Sequence, residues 1–276
     1  MRGPRRNPPG GLRLTQMCWP EVQAALRTIR LAVIPTGSTE QHGPHMTFET
    51  DTALAVAFAE RLADRFPGKV LVAPPIPVGL SSHHLRFPGS MTLQPETFLA
   101  VGRDMVVSLA GHGIRKFLFL NGHGGNRAVL TTLCTKLRTE LDVEACTCTW
   151  FPLVNDLIAR RVGPQRVHAC EIEASAGLFL TPRIVRREAL TAGTTKPDPY
   201  PHTHPRDPWS VELPYRWDEL TGNGAFGDAS KATREIGEEL CSTALDRLSQ
   251  FVEGFLVPPR RPRPARAKRG QGKRQA

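Results

Sequence analysis

From residue 31 onward, short apolar runs of strand length alternate with longer segments in which apolar residues recur every three to four positions. Leu31-Ala-Val-Ile34 is one such run, closed by Pro35 and Gly37, and Val70-Leu-Val-Ala73, Phe117-Leu-Phe-Leu120 and the stretch 143–150 are three more. Between them the period lengthens. From Asp51 onward Leu54, Phe58 and Leu62 fall on one helical face, residues 96–111 make a second helix stopped by Gly111 and Gly113, and residues 126–140 make a third. Strands that alternate with helices pair in parallel, because each helix is the crossover that returns the chain to the same end of the sheet. The pattern therefore predicts an α/β fold in three layers, a mostly parallel central sheet flanked by helices. A final amphipathic helix over about 229–254, with Ile236, Leu240, Ala244, Leu248 and Phe251 on one face, packs back on that core. Residues 192–228 have no sustained period and are rich in Pro, Gly, His and Trp. They read as a long functional loop in which His202, His204, Trp209 and Trp217 shape a pocket. No internal repeat is present.

Composition changes this picture only at the ends. With 40% hydrophobic and 22% charged residues in 276, the body of the chain is ordinary globular material. The net charge of +10 is concentrated at the termini: residues 1–15 carry four basic residues and residues 257–276 carry eight, with no acid in either, so the segment between them is slightly acidic at about −2. The body is not a nucleic-acid surface by charge, and nucleic acid is not an expected partner. Poor in apolar residues and rich in Pro and Gly, the ends read as solvated basic segments over 1–16 and 257–276, around a folded domain over 17–256. Six cysteines in a chain of this length do not make a disulfide framework, and Cys146-Thr-Cys148 lacks the spacer of a redox or zinc pair, so the thiols read as buried in a reducing compartment. No run approaches the roughly 20 apolar residues of a membrane span, and no signal peptide is evident. The expected setting is cytoplasmic, with no membrane partner.

In open α/β sheets ligands collect at the carboxyl ends of the strands, so the polar residues that follow each strand carry the chemistry. The run 31–34 leads into Thr36-Gly-Ser-Thr-Glu40-Gln-His42-Gly-Pro-His45 and on to Asp51 at a helix start; the run 117–120 leads into Asn121-Gly-His123-Gly-Gly-Asn126. These loops deliver Glu40, His42, Asp51 and His123 to one cleft. Carboxylates and imidazoles without cysteine suit a borderline divalent ion such as Zn²⁺, Mn²⁺ or Fe²⁺ and suit Ca²⁺ poorly. Glycines beside His123 allow close backbone approach. Simpler readings stand beside this one: Asp51 as a helix N-cap, His123 as a plain loop histidine, and the glycine run as a phosphate-binding turn, although it lacks the Lys and Ser/Thr of a P-loop. His83 and His84 read as exposed loop histidines bordering the cleft.

Five ordered motifs carry a family resemblance. Pro35-Thr-Gly-Ser-Thr-Glu-Gln-His-Gly-Pro-His45 with Thr50-Asp51, Phe87-Pro-Gly-Ser-Met-Thr-Leu93, Asn121-Gly-His-Gly-Gly-Asn126, His168-Ala-Cys-Glu-Ile-Glu-Ala-Ser175 and Gly227-Asp-x-x-x-Ala-Thr233 resemble, in order, those of the creatininase family of amidohydrolases. The resemblance implies a creatininase-like fold and two divalent ions that activate water for attack on a C–N bond. It implies one ion on Glu40, Asp51 and His123, and a second on His42 and a bridging Asp51. Creatininase itself carries a glutamate ligand where this chain has Gly125; Glu173 is the substitute, with Glu171 behind it. Cys170 and Ala174 are further departures, standing for Gly and Thr. His168 corresponds to a histidine beside the substrate, so His168 and Glu173 are the expected catalytic pair, moving the proton to the leaving nitrogen. Backbone N–H groups at Gly124 and Gly125 are candidate oxyanion donors. The family's substrates include small cyclic amides, formamides and a peptide tail in mycofactocin maturation; a small-molecule amide is the first expectation and the peptide the alternative. The resemblance also implies a homo-oligomer, with a hexameric ring as the candidate form. A different class stays open, a non-catalytic binding protein with a vestigial site and basic tails that hold an acidic partner or RNA.

Overall fold

The computed structural model describes residues 11–161, 168–197, 200, 211 and 213–257, and in it the four expected strands lie side by side with a fifth at the edge. In chain order the elements are β1 (Leu12–Arg13), α1 (Trp19–Ala25), β2 (Leu31–Thr36), α2 (Thr50–Arg65), β3 (Val70–Val72), α3 (Pro95–Gly111), β4 (Lys116–Asn121), α4 (Arg127–Glu140), β5 (Glu144–Thr149), α5 (Asn155–Arg161), α6 (Glu171–Leu180), α7 (Trp217–Leu220) and α8 (Arg234–Leu256). All pairings within this sheet are parallel, in the order β1-β3-β2-β4-β5.

That order positions the site. From β2 the chain passes through α2 to β3 on one side; from β4 it passes through α4 to β5 on the other. Parallel crossovers are right-handed, so the two helices lie on opposite faces of the sheet. The pleat divides the side chains accordingly. Leu31, Val33, Val70, Val72, Leu118 and Leu120 pack with Leu54, Phe58 and Leu62 of α2 and with α6 and α8. Ala32, Ile34, Leu71, Phe117 and Phe119 pack with Phe98 and Val106 of α3 and with Leu130, Leu133 and Leu137 of α4. The loops leaving β2 and β4 therefore diverge, and the crevice between neighbouring strands whose loops part is where such sheets bind ligands.

Several boundaries differ from those read in the sequence. Pro35 does not end β2: it pairs with Leu120, and its carbonyl accepts from Ile76. The missing N–H faces the β3 side past the last residue of that strand, so no ladder bond is lost. The basic segment 1–16 is not wholly solvated. Leu12 is buried and pairs with Leu71, Gly11 N–H donates to Asp64, and Arg13 reaches Glu60 at 3.1 Å and Asp64 at 3.3 Å. Charge counting missed this because one apolar residue and two local acids suffice to dock an edge strand. α1, α5, α6 and α7 were not foreseen, and α8 begins five residues later than expected, after a short turn at Ala229–Lys231. All six cysteines are free thiols, but Cys18 is exposed rather than buried. No helix among the described residues is long and apolar enough to cross a membrane. The tail 258–276, residues 1–10, and His202, His204 and Trp209 lie outside the described residues.

Candidate metal centre

The β2 and β4 loops meet where the topology places them. Gly122 is the point of closest approach: a Cβ there would collide with the carbonyl of Asp51. Its absence lets the β4 loop lie against the start of α2, which brings His123 to Asp51. The two asparagines of Asn121-Gly-His-Gly-Gly-Asn126 fix the loop. Asn121 Oδ1 accepts from His123 N–H at 3.2 Å while its amide donates to the His123 carbonyl, and Asn126 donates to Gly37 O and accepts from Leu80 N–H. These bonds tie the β2 loop, the turn at 80–84 and the β4 loop into one wall.

Inside it, His123 Nδ1 lies 3.2 Å from Glu40 Oε1 and 3.3 Å from Asp51 Oδ2, and His42 Nε2 lies 3.2 Å from Asp51 Oδ1. All four side chains are buried. Their outer atoms decide what the inner ones offer. His42 Nδ1 sits 3.2 Å from the Glu40 carbonyl and His123 Nε2 sits 3.0 Å from the Leu80 carbonyl. A carbonyl only accepts, so those nitrogens carry the protons, and the inward nitrogens present lone pairs to carboxylate oxygens. Lone pair facing anion at 3.2–3.3 Å is repulsive unless a cation lies between.

Asp51 shows the same deficit. It does not cap α2, whose N-cap is Glu49, and its Oδ2 is a buried oxygen with no hydrogen-bond partner among the described residues. The N-cap reading of Asp51 is thus overturned. The edge lengths suit a first-row ion with bonds of about 2.0–2.2 Å. Without an ion, protons answer the demand. Burial opposes charge on His42, but Asp51 outweighs it and pushes the ring up to about 9. Burial likewise opposes charge on His123, yet Glu40 and Asp51 hold it well above the usual histidine range. Burial would raise Glu40, but His123, His84 and His168 hold it well below the usual carboxylate range.

Glu173 lies on the His42 side of Asp51. One of its oxygens, with His42 and Asp51, forms a group of ligand atoms all within 4.8 Å of one another. It also accepts from Ala169 N–H at 2.6 Å, and burial pushes it up to about 7 despite His42. Glu171 points elsewhere: its carboxylate accepts from Asp228 N–H at 2.8 Å and so anchors the Gly227-Asp228 loop. Ala169, left-handed at φ 49°, turns the chain between these groups and His168. His168 Nε2 lies 2.7 Å from the Gln41 carbonyl and donates to it, leaving Nδ1 bare, 3.8 Å from Glu40 Oε1. Burial and the charges of His42 and His84 keep this ring neutral, well below its usual range.

The expectation of exposed histidines at 83 and 84 fails. His84 is buried, accepts at Nδ1 from the Gln41 amide at 2.9 Å and directs Nε2 at Glu40 Oε1, 3.4 Å away. Burial pushes it down to about 3 despite Glu40. Ser81 donates to Glu40 Oε2, which leaves Oε1 for the centre. Gln41, Ser81 and His84 were missed as functional residues; Gln41 stood in plain view between two ligand candidates. Trp217, the described member of the expected pocket set, closes one side, 5.2 Å from His168 and 5.0 Å from His84 ring to ring. A cleft of about 320 Å³ opens beside it, lined by Ser82, His83, Leu213, Tyr215 and Leu220.

The family model for creatininase, creatinine amidohydrolase, matches residues 15–252. The chain belongs to the creatininase family. It is a hydrolase of that family, and its candidate centre lies on the family's motifs. Among relatives, a mycofactocin precursor peptide peptidase of Mycobacterium tuberculosis is 32% identical over 82% of this chain and 86% of its own length. A creatinine amidohydrolase of Pseudomonas putida is 26% identical over 88% of this chain and 96% of its own length. A crystal structure of creatininase, 25% identical, superposes with a TM-score of 0.73 over 90% of this chain and 99% of its own. Creatininase has also been solved in zinc–zinc and manganese forms, 24% identical with TM-scores of 0.74 and 0.72, which share the fold. The creatininase-like glutamate has no place here. At Gly125 a Cβ would collide with His123 Nε2 and the Leu80 carbonyl, the two partners of the bond that orients His123.

Proposed function

We propose that this chain is a metal-dependent amidohydrolase that cleaves a C–N amide bond at a two-ion centre. The observation that carries the reading is the buried confrontation of His42 and His123 lone pairs with Glu40 and Asp51, in which Asp51 Oδ2 accepts no hydrogen bond from the described residues. Glu40, Asp51 and His123 would hold one ion, and His42, Asp51 and Glu173 the other. Bound there, divalent ions polarise a carbonyl and acidify a water. His168, with Nε2–H fixed on Gln41, turns Nδ1 inward to take a proton and return it to the leaving nitrogen. Trp217 and the surrounding rings wall the centre, and the cleft that opens beside Trp217 and His83 would admit substrate. Backbone N–H groups at Gly124 and Gly125 would be the oxyanion donors.

For the amide itself, a small cyclic amide or formamide is one reading. The peptide reading is favoured by the higher identity to the mycofactocin precursor peptide peptidase, 32% against 26% for the creatinine amidohydrolase. The open cleft suits an extended chain as well as a small ring. The setting proposed for either is a cytoplasmic homo-oligomer, with a hexameric ring as the candidate form. The test is hydrolysis of cyclic ureides, formamides and short peptides by metal-free protein reloaded with Zn²⁺, Mn²⁺ or Fe²⁺. Turnover restored by metal and abolished by chelator supports the reading, and full turnover after chelation overturns it.

A further inference from the structure

The turn at residues 80–84 occupies the ground that a side chain at position 125 would need. Three of its five residues are engaged around the centre. Leu80 O receives His123 Nε2–H, Ser81 Oγ donates to Glu40, and His84 directs its ring at Glu40. Ser82 is exposed and begins the short turn that carries the two histidines.

The remaining member is His83. Its ring packs 4.4 Å from that of His84, lies 5.7 Å from that of His123 and nearly parallel to it, and meets Trp217 edge-on at 5.8 Å. Held among these three rings, it offers a nitrogen that groups with ligand atoms of Glu40 and His123, all within 4.8 Å of one another. Donors on one first-row ion stand about 3–4.4 Å apart for bonds of about 2.0–2.2 Å. A shift of about 1 Å by a half-buried ring on a short turn closes that difference, whereas the packed ligands of β2 and α2 cannot move as easily.

We infer that His83 is an additional ligand of the ion held by Glu40, Asp51 and His123, delivered from the 82–84 turn; this rests on the proposed centre. The two ions then differ in kind. The first has two imidazoles and two carboxylates. The second, on His42, Asp51 and Glu173, has one imidazole and two carboxylates, and it keeps the more open coordination for water and substrate. Where a glutamate at position 125 is sterically barred, this chain strengthens the other ion instead. Binding should therefore be stepwise and unequal, with the His83 ion the tighter.

The test is calorimetric titration of the metal-free full-length chain with Zn²⁺, and the visible spectrum after one and two equivalents of Co²⁺, for wild type, His83→Ala, His83→Gln and His112→Ala. His112 is an exposed histidine at the end of α3 and serves as the control. The expected result is that both His83 variants weaken the first binding step at least about tenfold and alter the spectrum of the first Co²⁺. The second step and the His112 control should stay within about twofold. Thermal melts check that the variants fold, and the glutamine variant, close in size and polar, carries the test if the alanine variant does not. Both steps unchanged in a folded His83 variant, with an unaltered Co²⁺ spectrum, would show that His83 only lines the mouth and would overturn the inference alone. A wild-type chain that binds no Zn²⁺ would overturn the centre and the inference together.

Discussion

The two ends of the same parallel strands are equally buried and ask for opposite things. In β2 and β4 the run from Leu31 to Ile34 lies against Phe117 to Leu120, all essentially without exposed surface and all apolar. A few residues further on, Glu40, His42, Asp51 and His123 are sealed almost as completely. Burial stabilises the first set directly, at roughly 25 cal/mol per Å² of apolar surface. It destabilises the second unless opposite charge is supplied, because a desolvated carboxylate and an imidazole lone pair cannot share a boundary without a cation. One end of the sheet is complete as folded; on the proposed reading the other is complete only with bound metal.

Breaking the polar end at its centre should give the largest effect. Asp51→Ala removes the one side chain that faces both histidines, and we expect loss of stoichiometric metal with at least about a 10³-fold drop in turnover. Metal analysis and steady-state kinetics check it. Breaking the apolar end should do the reverse: Leu118→Ala is expected to cost about 2–5 kcal/mol in urea denaturation while bound metal stays at the wild-type level.

The contrast can also be read through pH. In metal-free protein the raised His42 contributes stability that is fully present below its ordinary value of 6.5 and is lost as pH rises through about 9. His123 is raised in the same direction. The melting temperature of metal-free protein should therefore fall by on the order of 5–10 °C between about pH 6.5 and 9.5, and bound metal, which replaces the protons, should flatten that slope. A metal-free protein whose melting temperature is flat over this range would contradict the assignment of the inward nitrogens.

A smaller effect is expected where a ligand might naively be restored. Gly125→Glu places a creatininase-like side chain beside His123, yet its Cβ meets His123 Nε2 and Leu80 O, so metal affinity should fall by about tenfold rather than rise. Calorimetric titration decides the sign. The least perturbing probe is thiol labelling. Burial pushes Cys134, Cys146, Cys170 and Cys241 up to about 12 and Cys148 up to about 11, so an alkylating reagent at pH 8 should modify the exposed Cys18 well before any of them. Peptide mapping by mass spectrometry checks the order.

The regular half of the molecule was legible because period and position carry it. Apolar runs 31–34 and 117–120 announced β2 and β4, and the polar residues after them announced Glu40, His42, Asp51 and His123. What escaped lacks such a period. The turn at 80–84 has no hydrophobic pattern, and its histidines look like surface residues until the Asn126 amide is seen holding Leu80 N–H against the β4 loop. Glu171 and Glu173 are two residues apart at the start of α6, and only the turn at Ala169 separates their roles, one toward Asp228 and one toward His42 and Asp51. β1 was hidden by the basic charge around it. Local sequence reveals which strand ends are polar; it does not reveal which distant turn folds over them.

The most direct measurement of the central claim is the metal content of the purified full-length chain by plasma mass spectrometry, followed by chelation and reloading. The account predicts about two divalent ions per chain, lost together with hydrolysis and restored with it. Occupancy well under one ion per chain, with hydrolysis indifferent to the chelator, would contradict it.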